Sequence, residues 1–565
     1  MNSQEGSFIL RLPTQFPLAP LPQPLMFECR LLITTALMVL LTRAGLTEER
    51  FEFRGRIVDA DTDELIPARV YLSDQRGNHF HVKSANRKGK AIPYRVDRGQ
   101  SREIHTTVSE NVFSVQLTPG KYQLTAEHGK EYLPRQISFT ISNSPLQETI
   151  RLKRWSHVRK QGWYSGDVHL HRKIAELPLV MKAEDLNVAL PLTYWVTDSE
   201  SRPGNDNKSG EKPLPARVIE VSPQHLIWPI NTEYEIFTVK GKQHTLGAFF
   251  VLGHSRELDL KAPPTGPILE ESRKQHALID MDKHNWPWSM MIAHRMKVDL
   301  FELSNNHVWR TPFLFKDWYP EYAGQYMEVE KDKSGGFTAR GWLDFGFENY
   351  YSLLNCGLRI MPSGGTASGV HPVPAGFGRV YVHLPEGLGF RSWMQGLKQG
   401  RSFVTNGPML DVRVNDCYPG HEFKIDSSTE FRLTATATYP TDYPTRFECI
   451  VNGEVVKNAP IQSIRKSPSI LRLKLEKKIE FESSSWMAVR CTQKMPNGNI
   501  SFAHSAPFFF MKQNEPIRPR KVEAQYLLER VENEIRRHQQ VLTPEQLEEY
   551  HAARKFYREQ LKVAR

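Results

Sequence analysis

Long apolar runs are almost absent from this 565-residue chain. The only candidate, Leu31 to Leu41 (LLITTALMVLL), falls well short of the ~20 residues that a membrane-crossing helix needs. It reads instead as the core of a signal peptide, with Arg30 as its positive flank, Ala44 and Gly45 as small residues for cleavage, and Met26 as a more usual start than Met1. Export to the periplasm or the extracellular space is therefore expected, with no transmembrane span in the mature chain; the alternative is an uncleaved N-terminal anchor. Cysteine is also scarce: there are five, none in a CxxC pair, which excludes a thiolate zinc knuckle. Cys29 falls in the leader; in an exported chain a Cys449 to Cys491 bridge between neighbouring strands is one open pairing, and the sequence does not establish connectivity. There is no long Lys/Arg run and no basic helix interleaved with stacking aromatics. The net charge of +11, from 74 Lys+Arg against 63 Asp+Glu, therefore gives no reason to expect a nucleic-acid partner. The GxSxG elbow, the GxxxxGK[ST] loop and the HExxH helix are missing as well, and with them the commonest serine-hydrolase, nucleotide-binding and zincin chemistries.

What is present is the composition of a core-forming protein, 39% hydrophobic and 24% charged. The length suits three or four domains at roughly 150 residues each. Residues 1–48 read as leader. Residues 49–155 read as a small antiparallel β-sandwich of period-two strands broken by turns, and GRIVDADTDELIPARVYL with LTPGKYQLTAEHGKEY resembles carboxypeptidase-regulatory-like accessory domains. Residues 156–405 alternate short apolar strands (TYWVT, AFFVLG, SMMIAH, GRVYVHL) with helix-compatible or loop segments, the pattern of an α/β layer or barrel, interrupted by a polar insertion from Asp198 to Lys212. Residues 406–512 return to strands, with Asn452-Gly453 as a two-residue hairpin turn. Residues 513–565 read as a helical hairpin with solvated faces, its second helix opened by Thr543, Pro544 and Gln546 as N-cap, first-turn proline and capping-box partner.

The chemistry concentrates in WYSGDVHLH, Trp163 to His171. On a strand, alternation places Asp167, His169 and His171 on one face, and two neutral imidazoles two residues apart can present two nitrogens to one cation. Spacing alone is weak evidence, since His79 and His81 have it too and read as a solvent-facing edge. What distinguishes the second pair is its setting: ten of the 20 histidines lie between His157 and His307.

GDVHLH, TEYEIFTVKGKQHTLGAFFVLG, MIAHRMKVDLFEL, LLNCGLRIMPSGGTASG, GFGRVYVHL and GLKQGRSFVTNGPML occur in an order that resembles the carbaryl-hydrolase-like (CehA/McbA) branch of the PHP (polymerase and histidinol phosphatase) superfamily, over about residues 163–410. The resemblance implies a multidomain α/β plus β protein in which a distorted PHP-like β/α barrel is flanked by the two sandwiches and ended by the helical hairpin. It implies a divalent metal (Zn, Mn or Fe, number unspecified) held by His169 and His171, with Glu233 or Glu235 as a bridging carboxylate, His244 after it and His294 at the end of the next core strand. Two departures stand out. Thr193-Tyr194-Trp195 replaces the family's Thr-Asp-His, and Thr366-Ala367-Ser368-Gly369-Val370 replaces its Ser-Asp-x-His-Gly, so that neither segment offers its usual ligand. Asp198, His307 and His371 are the nearby substitutes, Arg295 and Arg379 are candidates to steady an oxyanion or phosphate, and no residue is assigned as the general acid. The expected activity is hydrolysis of an ester, amide, carbamate or phosphoester in a small-molecule or polymer substrate, by metal-activated water. The alternative is an inactive PHP-like exported scaffold that binds carbohydrate or protein. Oligomeric state is not read from the sequence.

Overall fold

Alternating burial builds the first layer pair. In the strand Gly120–Glu127, Tyr122, Leu124 and Ala126 point inward while their neighbours face out, as a half-buried antiparallel strand requires. A computed structural model describes residues 49–205, 214–307, 317–441, 443, 445–457, 460–467 and 470–565, with side chains 465–467 excepted. The expected signal segment and part of the polar insertion lie outside the described residues. Sheets of four and five strands face each other between Phe51–Asp59 and Leu146–Leu152. They enclose Phe53, Val70, Leu124 and Phe139, and the rings of Phe53 and Phe139 stack at 4.2 Å.

The α/β region is made of two sheets. One has six strands in the order Tyr194–Asp198, Thr232–Val239, Lys242–Leu252, Leu278–Met281, Leu300–Ser304 and Met361–Gly364, the last three parallel. The helices Ser289–Arg295 and Ala339–Asn355 lie between these parallel strands in sequence. Each of the three strands is buried along its whole length, as expected for parallel strands covered on both faces. In the other sheet Trp163–Leu170 lies between Val188–Pro191 and Arg379–His383. The sheets meet where the first core strand ends: Ala367 N–H donates to the His169 carbonyl at 2.7 Å, and His171 N–H to the Ser368 carbonyl at 2.8 Å. SMMIAH, expected as a strand, is instead the helix Ser289–Arg295. Its residues are buried on nearly every side, so the run lacks the polar face that would betray helical period.

The second sheet does not stop at the α/β region. Ser402–Thr405 pairs with Arg379–His383 on one edge and with Ile500–Ser505 on the other, which carries the sheet through Ser485–Lys494 to Thr445–Val451. A separate four-stranded sheet, including Met409–Val414 and Thr429–Tyr439, packs against this extension. Asn452 and Gly453, at φ of 49° and 85°, form the two-residue turn that their sequence favours. Cys449 pairs with Val489 and Cys491 with Phe447, and both are free cysteines, so a bridge between them is not formed.

The chain ends in a helical hairpin, Lys521–His538 and Pro544–Val563, with the Thr543–Gln546 capping box in place. Its inner face is far from solvated. The Glu549 carboxylate accepts from Thr265 and Gly266 N–H at 2.8 Å each, the Arg530 guanidinium donates to the Trp286 carbonyl at 3.1 Å, and Tyr557 to that of Met290 at 2.9 Å. No helix among the described residues is long and apolar enough to cross a membrane.

Candidate metal centre

The strand Trp163–Leu170 delivers its polar side chains to a buried junction. Asp167 faces the loop rather than the junction: its carboxylate accepts from Thr366 Oγ1 at 2.6 Å, from Gly376 N–H at 2.8 Å and from His169 N–H at 3.0 Å. Burial outweighs these donors and pushes its pKa up to about 7. Asp167 therefore fastens the 366–376 segment against the strand, which holds the two histidines beyond it in register.

His169 Nε2 and His171 Nε2 stand 3.2 Å apart. Glu233 brings Oε2 to 3.4 Å from His171 Nε2 and Oε1 to 4.0 Å from His169 Nε2. Two ligands each about 2.0–2.1 Å from a tetrahedral ion lie about 3.3 Å apart, so this spacing suits a shared cation. The same His169 has a second group of carboxylates on its other side. Glu302 Oε1 lies 3.0 Å from Nδ1 and Asp282 Oδ1 3.9 Å from it. Each triad, His169–His171–Glu233 and His169–Asp282–Glu302, is buried, and its ligand atoms lie within 4.8 Å of one another. A clustered His/Asp/Glu arrangement of this kind can bind a divalent metal and is consistent with a PHP-like metal site.

The surroundings explain how carboxylates are held at such density. Phe250 meets the His169 ring edge-on at 4.5 Å. Gly365 permits the approach of strand and loop, since a Cβ there would fall 2.2 Å from His169 Cβ and 2.4 Å from Glu302 Oε1. Lys283, 4% exposed, places its ammonium on Asp282 Oδ2. Burial works to lower its pKa, but Asp282, Glu235, Glu302 and Glu233 reverse this and raise it. Burial and then the Asp282 charge push Glu302 well above the usual carboxylate range. Asp280, on the same strand as the start of this segment, is pushed up to about 8 by burial. Asp282 Oδ1 and Glu302 Oε2 are buried and find no hydrogen-bond donor among the described residues. The positive charge beside them is the Lys283 ammonium, whereas the paired imidazole nitrogens with Glu233 are the donor set that suits a divalent cation.

The remaining expected ligands divide between the two ends of the region. Glu235, two residues beyond Glu233, accepts from the Trp195 indole at 3.2 Å and stands at the rim. His307 lies edge-on to Trp342 at 4.5 Å, near enough to feel the charges of Lys283 and His371, and burial drives its pKa well down. His371 Nε2 meets Arg98 Nη1 at 2.6 Å, bringing a strand of the first sandwich, Ala91–Arg98, to the same rim. In the same strand, the Tyr94 hydroxyl donates to the His371 carbonyl at 2.8 Å and accepts from Gly369 N–H at 2.9 Å. His244 and His294 are elsewhere. His244 bonds to His538 at 2.7 Å, and His294 stacks on Phe556 at 4.1 Å, both against the terminal hairpin. The physical reason for His294 is the helix that replaces the expected strand. Asp198 accepts from Thr238 Oγ1 on the neighbouring strand and from Gly241 N–H in the turn that follows it. Arg379 is spent on the Glu184, Asp185 and Gly376 carbonyls, and Arg295 faces Glu549. In the segment Thr193-Tyr194-Trp195, the Tyr194 hydroxyl donates to Glu257.

Asp282, Lys283 and Glu302 were missing from the sequence-based set. The visible signals were Asp-Lys-His after the short run LID and a lone glutamate in the apolar LFELS. Compared with known proteins, the chain matches no family model, no curated protein and no solved structure.

Proposed function

We propose that the protein is a divalent-metal-dependent hydrolase of ester, amide, carbamate or phosphoester bonds, with a PHP-like core over residues 156–405. The flanking sandwiches would span 49–155 and 406–512, the hairpin 513–565, and the chain would act after export on a small-molecule or polymer substrate. The observation that supports this most is the His169–His171 Nε2 pair at 3.2 Å with Glu233 at 3.4 Å.

His169, His171 and Glu233 would hold the ion, with Zn, Mn and Fe all compatible with two imidazoles and a carboxylate. A divalent ion there would supply a water of pKa about 7 and polarise the oxygen under attack. The chain's own residues prepare that site. Glu302 Oε1, 3.0 Å from His169 Nδ1, is placed to accept an Nδ1–H, which would fix the tautomer that turns the Nε2 lone pair toward His171 and Glu233. Trp342 and Phe250 close the apolar side against solvent. Glu235 and His307, both close to the centre and outside the triads, are the residues placed to accept or return a proton. Arg98, at the rim, offers a charge to a substrate oxygen.

The test is metal content by mass spectrometry on protein purified without chelator, beside hydrolysis of an ester and phosphoester panel. About one or more equivalents of metal with turnover, both lost in His169→Ala/His171→Ala, is the expected result. Metal without turnover of any substrate would favour the scaffold reading, which the ligand-free Tyr194–Trp195 segment supports. No metal after reconstitution would remove the proposal.

A further inference from the structure

We infer that the centre holds a single divalent ion, between His169, His171 and Glu233, and that the Lys283 ammonium takes the place of a second cation beside Asp282 and Glu302. This rests on the metal-binding reading above and sharpens it to a stoichiometry.

The two triads share one imidazole, and that imidazole serves them through opposite nitrogens. Nε2 faces His171 and Glu233, whereas Nδ1 lies 3.0 Å from Glu302 Oε1, a hydrogen-bond distance. A neutral imidazole carries one N–H and one lone pair. Metal binding through Nε2, the nitrogen that faces His171 and Glu233, puts that hydrogen on Nδ1, where Glu302 is placed to accept it. A second ion at His169–Asp282–Glu302 would require loss of the Nδ1 proton and the bond it makes. With the first triad filled, a second ion would therefore have to be held by Asp282 and Glu302 without His169.

Lys283 already occupies the second group. Its ammonium sits on Asp282 Oδ2, and its side chain is 5% exposed. The attraction of Glu302, Glu233 and Glu235 reaches it as well, which marks it as the positive centre that these carboxylates share. A divalent ion at Asp282 would have to displace that ammonium or stand against it in a site where solvent screens little.

The experiment uses the full chain loaded with Mn²⁺, freed of excess ion, and read by metal analysis and electron paramagnetic resonance. One equivalent with the spectrum of an isolated Mn²⁺ is expected. Lys283→Met, which keeps length and removes charge, should gain a second equivalent and show exchange coupling, whereas Lys283→Arg should stay at one. Two coupled ions in the unaltered protein would overturn the inference and leave the metal-binding reading intact. No retained Mn²⁺ or Zn²⁺ would overturn both. A Lys283→Met protein that folds and still binds one ion would remove Lys283 as the excluding charge. If that variant fails to fold, the count and coupling in the unaltered protein decide.

Discussion

The chain carries two His-x-His pairs, and they have opposite fates. His79 and His81 are exposed on the first sandwich, where His81 meets the Thr106 hydroxyl at 3.3 Å and no carboxylate converges on the pair among the described metal-binding groups. His169 and His171 lie at a buried junction of two sheets, with Glu233, Asp282 and Glu302 converging on them. Period two supplies only the spacing. What makes the second pair chemically capable is that other strands deliver carboxylates to it and solvent does not compete for the nitrogens.

That contrast can be broken most forcefully at the ligands themselves. His169→Ala/His171→Ala should take bound metal from about one equivalent to none, whereas His79→Ala/His81→Ala should leave it unchanged, as read by mass spectrometry of the purified proteins. Next in size is Glu302→Gln, which keeps the shape but weakens the acceptor for His169 Nδ1–H. Metal affinity should fall about 10- to 100-fold in a competition titration with a chromogenic chelator, the usual cost of losing an outer-shell partner. An unchanged affinity would mean that Glu302 does not orient His169.

Gly365→Ala tests the packing that separates the two pairs. The added Cβ would collide with both His169 and Glu302, and overpacking of this kind costs about 1–3 kcal/mol. A lower denaturation midpoint is expected, and an unshifted one would show that the junction yields easily.

The smallest effect is a matter of pH. Asp280 rises from an unfolded value of 3.8 to about 8 in the fold. Between these values the folded state binds more protons than the unfolded state, so this group's contribution to stability is full below about pH 4 and is lost as pH climbs through 8. In chelator-treated protein, Asp280→Asn should therefore lose less of its urea midpoint between pH 5 and pH 8 than the unaltered chain. Equal losses would place the cause of any pH dependence elsewhere.

Local signals were legible in the sequence wherever the structure is local. The Asn452-Gly453 turn and the Thr543–Gln546 cap depend on four or fewer consecutive residues, and both form as read. The multidomain α/β plus β layout and the terminal hairpin were legible from pattern. The second half of the candidate site was not. Leu278–Met281 is a four-residue strand buried throughout, too short for any period to show, while the longer apolar run SMMIAH nearby drew the strand assignment to itself. His294 was carried along with that run, and Asp282, which directly follows the true strand, was passed over. Glu302 had no partner visible in sequence, since its meeting with His169 spans 133 positions and depends on Gly365.

The strand Ser402–Thr405 gives the molecule a consequence of another kind. Its two edges belong to neighbours that the sequence places in different domains, so a cut after Thr405 would strip amides and carbonyls from the middle of a sheet and leave them seeking any other chain. The catalytic-looking half and the C-terminal sandwich thus share a seam rather than a linker. Unfolding of one should drag the other with it, as a single melting event, and fragments ending at this strand should be sticky.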